Sequence, residues 1–544
     1  MLHSPEVRCV AGVLLISLLS ACGDGSDGDG SMDTSVSPRT VSFNAASADA
    51  AAPAAQTVTA TFGSDVAQLS VIHNGRAVAD VRSTLTGRTA QITIQPPSPA
   101  SVGAGVFDGT VAVTGQVCAD AACSSLIAGK TQTVSVTYQV SPAVGLVMPH
   151  VATAGRSEAV VVRGSGFRGF TVSGVRFGTT PAIASTVIGD TEIHATYPAL
   201  AAGNQTVQVD FGGHQGAIAS TATLAVVEPL TLAATTLSYP ATGSLTIQDL
   251  LYDAERSALL VATNINGGSI VRYAYADAAW NDPSSVAVSQ LRDIALSPSG
   301  TQLLAVSNTA LTPLDPASLV PGAVIAAPSL AANNFLKDIA VANDDKAVVA
   351  TGTSNGESSA TKLYTYDIRT KALSQTSATL NNATAAAAAD GSKIVLIQGT
   401  AKTTSDLAVT TYTGSTSTFG SAIISLKQTS VAPAVDRAAT RIALNGVKVY
   451  GGDFALLGTL PTTTLAVAFR PDGKRAYTYD SAAAAVLTFD TSTSKKGAAF
   501  PRIGSATALA GNPGAGLKMT ISPDGNTLFL AGSTQIVIQP TPPL

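Results

Sequence analysis

Leu296-Ser297-Pro298-Ser299-Gly300-Thr301-Gln302-Leu303, Phe469-Arg470-Pro471-Asp472-Gly473-Lys474-Arg475-Ala476 and Ile521-Ser522-Pro523-Asp524-Gly525-Asn526-Thr527-Leu528 are three copies of one hairpin. Each ends one apolar run, turns through Pro and Gly, and starts another. Weaker copies carry Arg256, Asp345, Gly391 and Ala439 at the Gly position, and the steps between the seven are 44, 45, 46, 48, 34 and 52 residues. A period near 45 is one four-stranded unit that cannot bury its own faces and stacks on its neighbours. Each copy fits an inner strand, the hairpin, a second strand such as Leu303–Asn308, a third such as Lys362–Asp367, and an outer strand. Seven turns predict a seven-bladed β-propeller over residues 229–544. The last copy is too short for four strands, so Thr231–Tyr239 is expected to supply its outer strand. Such closure removes the exposed edges that would otherwise aggregate.

Leu260-Val261-Ala262-Thr263-Asn264, Tyr366-Asp367-Ile368-Arg369-Thr370 and Phe489-Asp490-Thr491-Ser492-Thr493 resemble segments of YVTN-type and lactonase-like propellers. That resemblance implies the fold. It leaves the activity open, because propellers host hydrolases, oxidoreductases and pure binding platforms.

Residues 141–228 precede the repeat and contain Val160-Val161-Val162-Arg163-Gly164-Ser165-Gly166-Phe167, Val175-Arg176-Phe177-Gly178, Asp190-Thr191-Glu192-Ile193, Tyr197-Pro198 and Gly203–Val209. The segment resembles an IPT/TIG domain, an immunoglobulin-like sandwich whose plainest role is a spacer. Gly164-Ser165-Gly166 permits a positive-φ bend that turns Phe167 inward. Residues 36–140 alternate with period two in Thr57–Phe62, Gln91–Ile94, Thr110–Thr114 and Thr133–Tyr138, which predicts another antiparallel β-sandwich of immunoglobulin-like architecture. The fold class is therefore all-β, two Ig-like sandwiches followed by the propeller.

Composition agrees. Gly at 48 and Pro at 27 of 544 residues, with 45% hydrophobic side chains, suit many short strands. Against 35 acidic residues stand 31 basic ones, a net charge of −4, so the chain has no electrostatic footprint for nucleic acid.

The N-terminus supplies an address. Arg8 precedes an apolar run, Cys9–Leu19, too short to span a bilayer, and Leu19-Ser20-Ala21-Cys22 resembles the lipobox of bacterial lipoprotein signal peptides. The resemblance implies removal of residues 1–21 and acylation of Cys22, whose several acyl chains would hold durably where one would not. Residues 22–35 form a flexible linker; its alternating Asp do not match an EF-hand register. Gly23 stands where some enteric bacteria carry an Asp for inner-membrane retention, so the expected location is the bacterial cell envelope, at the outer membrane. No apolar run of about 18 residues follows. Cys118 and Cys123 remain, and in an oxidising envelope the C-x₄-C spacing reads as a small disulfide loop in preference to half a zinc site.

Seven residues before the Gly position, the inner strands start at Asp249, Asp293, Asp338, Thr384, Ala432, Ala466 and Lys518. Three adjacent blades thus carry Asp at one mouth of the channel, with Lys518 next to Asp249 around the ring. The arc is a candidate metal site for a hard cation such as calcium, or for a basic group. The competing reading is that each Asp accepts backbone hydrogen bonds that fix a strand start. None of the five His (His3, His73, His150, His194, His214) belongs to the propeller, and no nucleophile elbow, phosphate loop or dinucleotide fingerprint occurs. The function expected is a lipid-anchored envelope protein whose two sandwiches, as a stalk, present the propeller to a protein or glycan ligand without catalysis. The alternative is a periplasmic enzyme of lactonase-like type using Asp249, Asp293 and Asp338.

Overall fold

The computed structural model describes residues 32–212, 217–240, 245–354, 361–399, 407–424, 431–461 and 466–542. The lipobox and Cys22 lie outside the described residues, as do His3 and His214. The chain is all-β, in two compact units that are taken separately here. Among the described residues no helix is long and apolar enough to cross a membrane.

In the N-terminal sandwich, one sheet orders Thr34–Ser37, Gln56–Phe62, Thr89–Gln95 and Asp80–Thr86; the other orders Thr40–Ala45, Gln132–Val140, Gly105–Cys118 and Gln68–Gly75. Alternation does the work expected of it. Val58, Ala60 and Phe62 point into the core and the Thr residues between them point away. Cys118 ends the long strand and is bonded to Cys123, with an S–S distance of 2.02 Å, while Asp120 accepts from the Ser124 N–H at 3.0 Å to close the loop.

The second sandwich stacks Ala143–Met148, Glu158–Ser165, Glu192–Tyr197 and Ala184–Gly189 against Thr171–Phe177, Gly203–Gly212 and Ala217–Val227. Gly166 adopts φ +80°, and the bend drives Phe167 into the core, stacked on Phe211 at 6.1 Å.

Seven sheets follow, six of four strands and the first of five because Ala279–Trp280 and Ser284–Ala287 both pair with Ser269–Ala276, and consecutive inner strands contact one another all the way round. The inner strands are Ile247–Asp253, Leu291–Leu296, Asn334–Val341, Thr384–Ala387, Ala434–Val435, Val467–Phe469 and Lys518–Ile521, here blades 1 to 7. Blade 7 takes its outer strand from Thr235–Leu237, paired with Ile536–Ile538. Leu230 N–H donates to Asp524 at 2.8 Å and Tyr239 Oη to the Gly532 carbonyl at 3.0 Å, so the ring is tied shut on both sides of that strand.

The left-handed turn position recurs at Gly300, Asp345, Gly391, Ala439, Gly473 and Gly525. In blade 1 the residue in that conformation is Ser257, one beyond Arg256, because the turn there closes on Asp253 and Ala258 and its bend falls later. Clusters of Val, Leu, Ile and Ala from facing sheets fill the wedges between blades. The small side chains allow close approach near the axis, where the wedges narrow.

Candidate functional site

Asp249, Asp293 and Asp338 are equivalent in three dimensions because each follows the same irregularity. In blades 1, 2 and 3 the pairing skips Gln248, Arg292 and Lys337 respectively, placing Asp249 opposite Ala262, Asp293 opposite Val306 and Asp338 opposite Ala350. A bulge re-aims the side chain that follows it. Here all three carboxyls are aimed toward the next blade.

Asp293 Oδ2 accepts the backbone N–H of Ile339, the residue after Asp338, at 2.7 Å. Asp338 in turn accepts from the N–H of Ala385, the residue after Thr384. Asp293 and Asp338 therefore pin the strand start of the following blade, whereas Asp249 accepts from the N–H of Leu250 and fixes the start of its own strand, as the sequence predicts for all three. The carboxyls also meet one another: Asp293 is hydrogen-bonded to both Asp249 and Asp338. Burial raises all three, Asp249 to about 6, and the two flanking carboxylates push Asp293 further up, well above the ordinary carboxylate range. Carboxyls at hydrogen-bonding distance cannot all ionise together, so the cluster titrates as a unit in which Asp293 is the most strongly raised. Lys518 lies close enough to lower Asp249 and Asp338 against that trend. Lys337, its ammonium pulled down by burial, donates to the Asn382 carbonyl at 2.7 Å. Arg292 sits 4.6 Å over the Phe335 ring and donates to Asn308 at 2.6 Å.

All seven inner-strand positions, Asp249 through Lys518, line one axial cavity of about 850 Å³. Ala295, Ala340, Ala386, Ala434 and Ala468, each two residues on from a rim position, give part of the wall a small aliphatic face, beside larger side chains such as Tyr252, Phe469 and Arg437. Among the described residues no group of three or more His, Cys, Asp or Glu has the geometry to hold a metal ion. The donor set explains why: Asp293 and Asp338 each spend an oxygen on a backbone N–H, and the Lys518 ammonium provides the countercharge.

The other end of the cavity has an unexpected owner. Met148, Pro149, His150 and Val151, from the second sandwich, line it beside the hairpin residues Ser297, Pro298, Asp436 and Ser522. Expected to be a spacer, this sandwich is instead packed onto the hairpin end of the propeller. Val151, Ala225 and Ala254 form an apolar contact, Arg437 pairs with Glu158 and donates to the Ala159 carbonyl at 3.0 Å, and Arg163 donates to Glu192 at 2.6 Å and to the Gly414 carbonyl at 3.2 Å.

His150 is the key residue of this contact and was missed by counting His within the repeat. Its ring is wedged between two hairpins, hydrogen-bonded to the Pro298 carbonyl, with Nε2 buried, without a hydrogen bond and 3.9 Å from Glu255. Burial lowers its pKa to about 4, with Asp253 acting to raise it and Arg256 to lower it, so the ring is neutral at physiological pH. Gly300, at φ +67°, abuts the ring; a Cβ there would meet Nε2, so this turn glycine is demanded twice, by backbone and by neighbour. His194 pairs with Glu192 at 2.6 Å, and His73 lies on the exposed strand Gln68–Gly75.

Residues 142–226 match the family model of the IPT/TIG domain. This second sandwich is an IPT/TIG domain. No curated protein matches the chain. Among solved structures, the β-propeller domain of Cps50 (Swd1) from Myceliophteria thermophila is similar at 9% identity and a TM-score of 0.41, over 57% of this chain and all of that one.

Proposed function

We propose that this chain is a lipid-anchored binding protein of the bacterial cell envelope whose receptor site is the axial cavity of the propeller. The observation that carries the reading is the cavity itself: about 850 Å³, with a largely apolar wall and a few convergent polar groups of perturbed pKa at its rim. Its volume is in the range of small-molecule and cofactor sites. The IPT/TIG domain supports the reading by its docking, since it completes the cavity and so belongs to the receptor. Anchoring is supported by Leu19-Ser20-Ala21-Cys22.

Two measurements test this. Cys22→Ala is expected to move the protein from the membrane fraction to the soluble fraction; retention in the membrane would remove the anchor from the account. The full chain, used as bait on envelope extract, is expected to retain a component that Ala466→Trp, which fills the rim, no longer retains.

One observation favours a second reading. Asp293, raised well above the carboxylate range, hydrogen-bonds Asp338, whose rise Lys518 and Lys337 oppose, and a separation of pKa values between paired carboxyls is what general acid–base catalysis depends on. A lactonase-like enzyme would turn over members of a lactone panel and lose at least about 100-fold in kcat with Asp293→Asn. Unchanged turnover in that variant, or none in the parent, would leave the binding reading alone.

A further inference from the structure

Among the described residues, the two ends of the cavity differ in burial. At the hairpin end Asp253, Ser297, Asp436 and Ser522 are all buried, and the Met148–Val151 segment of the IPT/TIG domain lies across them. At the opposite rim Asp249, Asp338, Thr384 and Lys518 remain half-buried. A ligand therefore enters past the rim and stops at the floor. Such a cavity suits the end of a chain and excludes a chain threaded through.

The rim also has two unlike halves. Blades 7, 1, 2 and 3 contribute Lys518, Asp249, Asp293 and Asp338; blades 4, 5 and 6 contribute Thr384, Ala432 and Ala466. On the polar half, acceptors and donors alternate. Asp249 and Asp338 accept, Lys518 donates, and Lys337 stands behind them on its own carbonyl partner. Lys518 and Lys337 stand among the three carboxyls, so groups of both signs share this half of the rim. A strongly cationic ligand would have to displace Lys518, and an anionic one would face the carboxylates. A neutral molecule whose hydroxyls both donate and accept satisfies each group in place, and leaving buried polar groups unpaired is what makes such a site selective. The methyl-lined half complements a C–H face.

We propose that this rim binds the terminal residue of a neutral saccharide chain, its hydroxyls on Asp249, Asp338 and Lys518 and its C–H face on Ala432 and Ala466. The proposal rests on the receptor reading above and adds the ligand class and the end-on mode. Titration calorimetry on the full chain in detergent tests it, with linear neutral oligosaccharides, a cyclic oligosaccharide of the same sugar, spermidine and calcium chloride as probes. Expected are binding of at least one linear neutral oligosaccharide, at least tenfold weaker binding of its cyclic counterpart, a tenfold or greater loss with Asp249→Asn, and complete loss with Ala466→Trp, both variants keeping the parental melting temperature within a few degrees. Cyclic and linear forms binding equally, or linear binding untouched by Ala466→Trp, would overturn it. Were spermidine or calcium bound instead and lost with Ala466→Trp, the saccharide class would fall while the receptor cavity stood; were neither the probes nor any envelope component retained, both would fall.

Discussion

Asp293→Ala is expected to lower the unfolding free energy of the propeller by about 2–4 kcal/mol, because it deprives the buried Ile339 N–H of its acceptor and leaves a small void. Asp293→Asn is expected to do the opposite above neutral pH. The amide keeps an acceptor for Ile339 and offers a permanent donor to Asp338, while removing a carboxyl that must otherwise ionise among its neighbours. The sign follows from linkage. A carboxyl raised in the folded state binds its proton more tightly there than in the unfolded chain, so its contribution to stability is full at low pH and is lost as pH rises from about 4 toward the folded pKa. For Asp249 that loss is centred between about 4 and 6, and for Asp293 it extends higher. Scanning calorimetry of the parent should show a melting temperature that falls as pH rises above about 4, and Asp293→Asn should flatten that fall, each kcal/mol regained being worth about 1–2 °C in a propeller of this size. Equal destabilisation by Ala and Asn would mean that the raised titration of Asp293 has no energetic role.

His150→Gln separates the second large effect. In the folded chain the imidazole is neutral down to about pH 4, whereas in the unfolded chain it protonates near 6.5, so His150 costs stability progressively as pH falls through that interval. Up to about 3 kcal/mol is at stake, on 1.36 kcal/mol for each pKa unit. The carboxyls act with the opposite slope over the same interval, so the effect is read as the difference between parent and variant rather than from the parent alone. The groups facing the ring are Asp253, Glu255 and Arg256 from blade 1 and the Pro298–Gly300 turn from blade 2. Docking of the IPT/TIG domain, followed by protection of the Met148–Val151 segment from proteolysis, should weaken below about pH 5.5 in the parent. His150→Gln should lack that loss, and the same pH dependence of protection in parent and variant would contradict the assignment.

These effects divide what was legible in the sequence from what was not. The hairpin repeat fixes blade number because a left-handed turn leaves a local mark, Pro and Gly at set offsets, even where Asp345 or Ala439 replaces the Gly. The closing strand at Thr235–Leu237 was legible for a topological reason: a ring one strand short must borrow it. Counting from the turns also brought Asp249, Asp293 and Asp338 into one arc with Lys518. What counting could not supply was direction. The carboxyls reach across to the next blade because of bulges at Gln248, Arg292 and Lys337, and a bulge adds a residue without changing composition.

The floor of the cavity was illegible for a different reason. Arg437 meets Glu158 across 279 positions of sequence, and His150 meets a turn belonging to another domain. No periodicity records such contacts. Glu158 and Arg163 sit on exposed-looking positions of a sandwich strand, and only the docked surface turns them into partners of the propeller. Reading the domain as a spacer followed from its resemblance; its docking makes it a component of the site.

Thiol labelling of the chain carrying Cys9→Ser and Cys22→Ser, in which Cys118 and Cys123 are paired, tests the one-ended cavity most directly. A maleimide small enough to enter the rim should react readily at Ala432→Cys and at least about 100-fold more slowly at Ser297→Cys, which lies buried beneath the IPT/TIG domain. Comparable rates at the two positions, in protein that melts as the parent does, would show the hairpin end open and contradict the account.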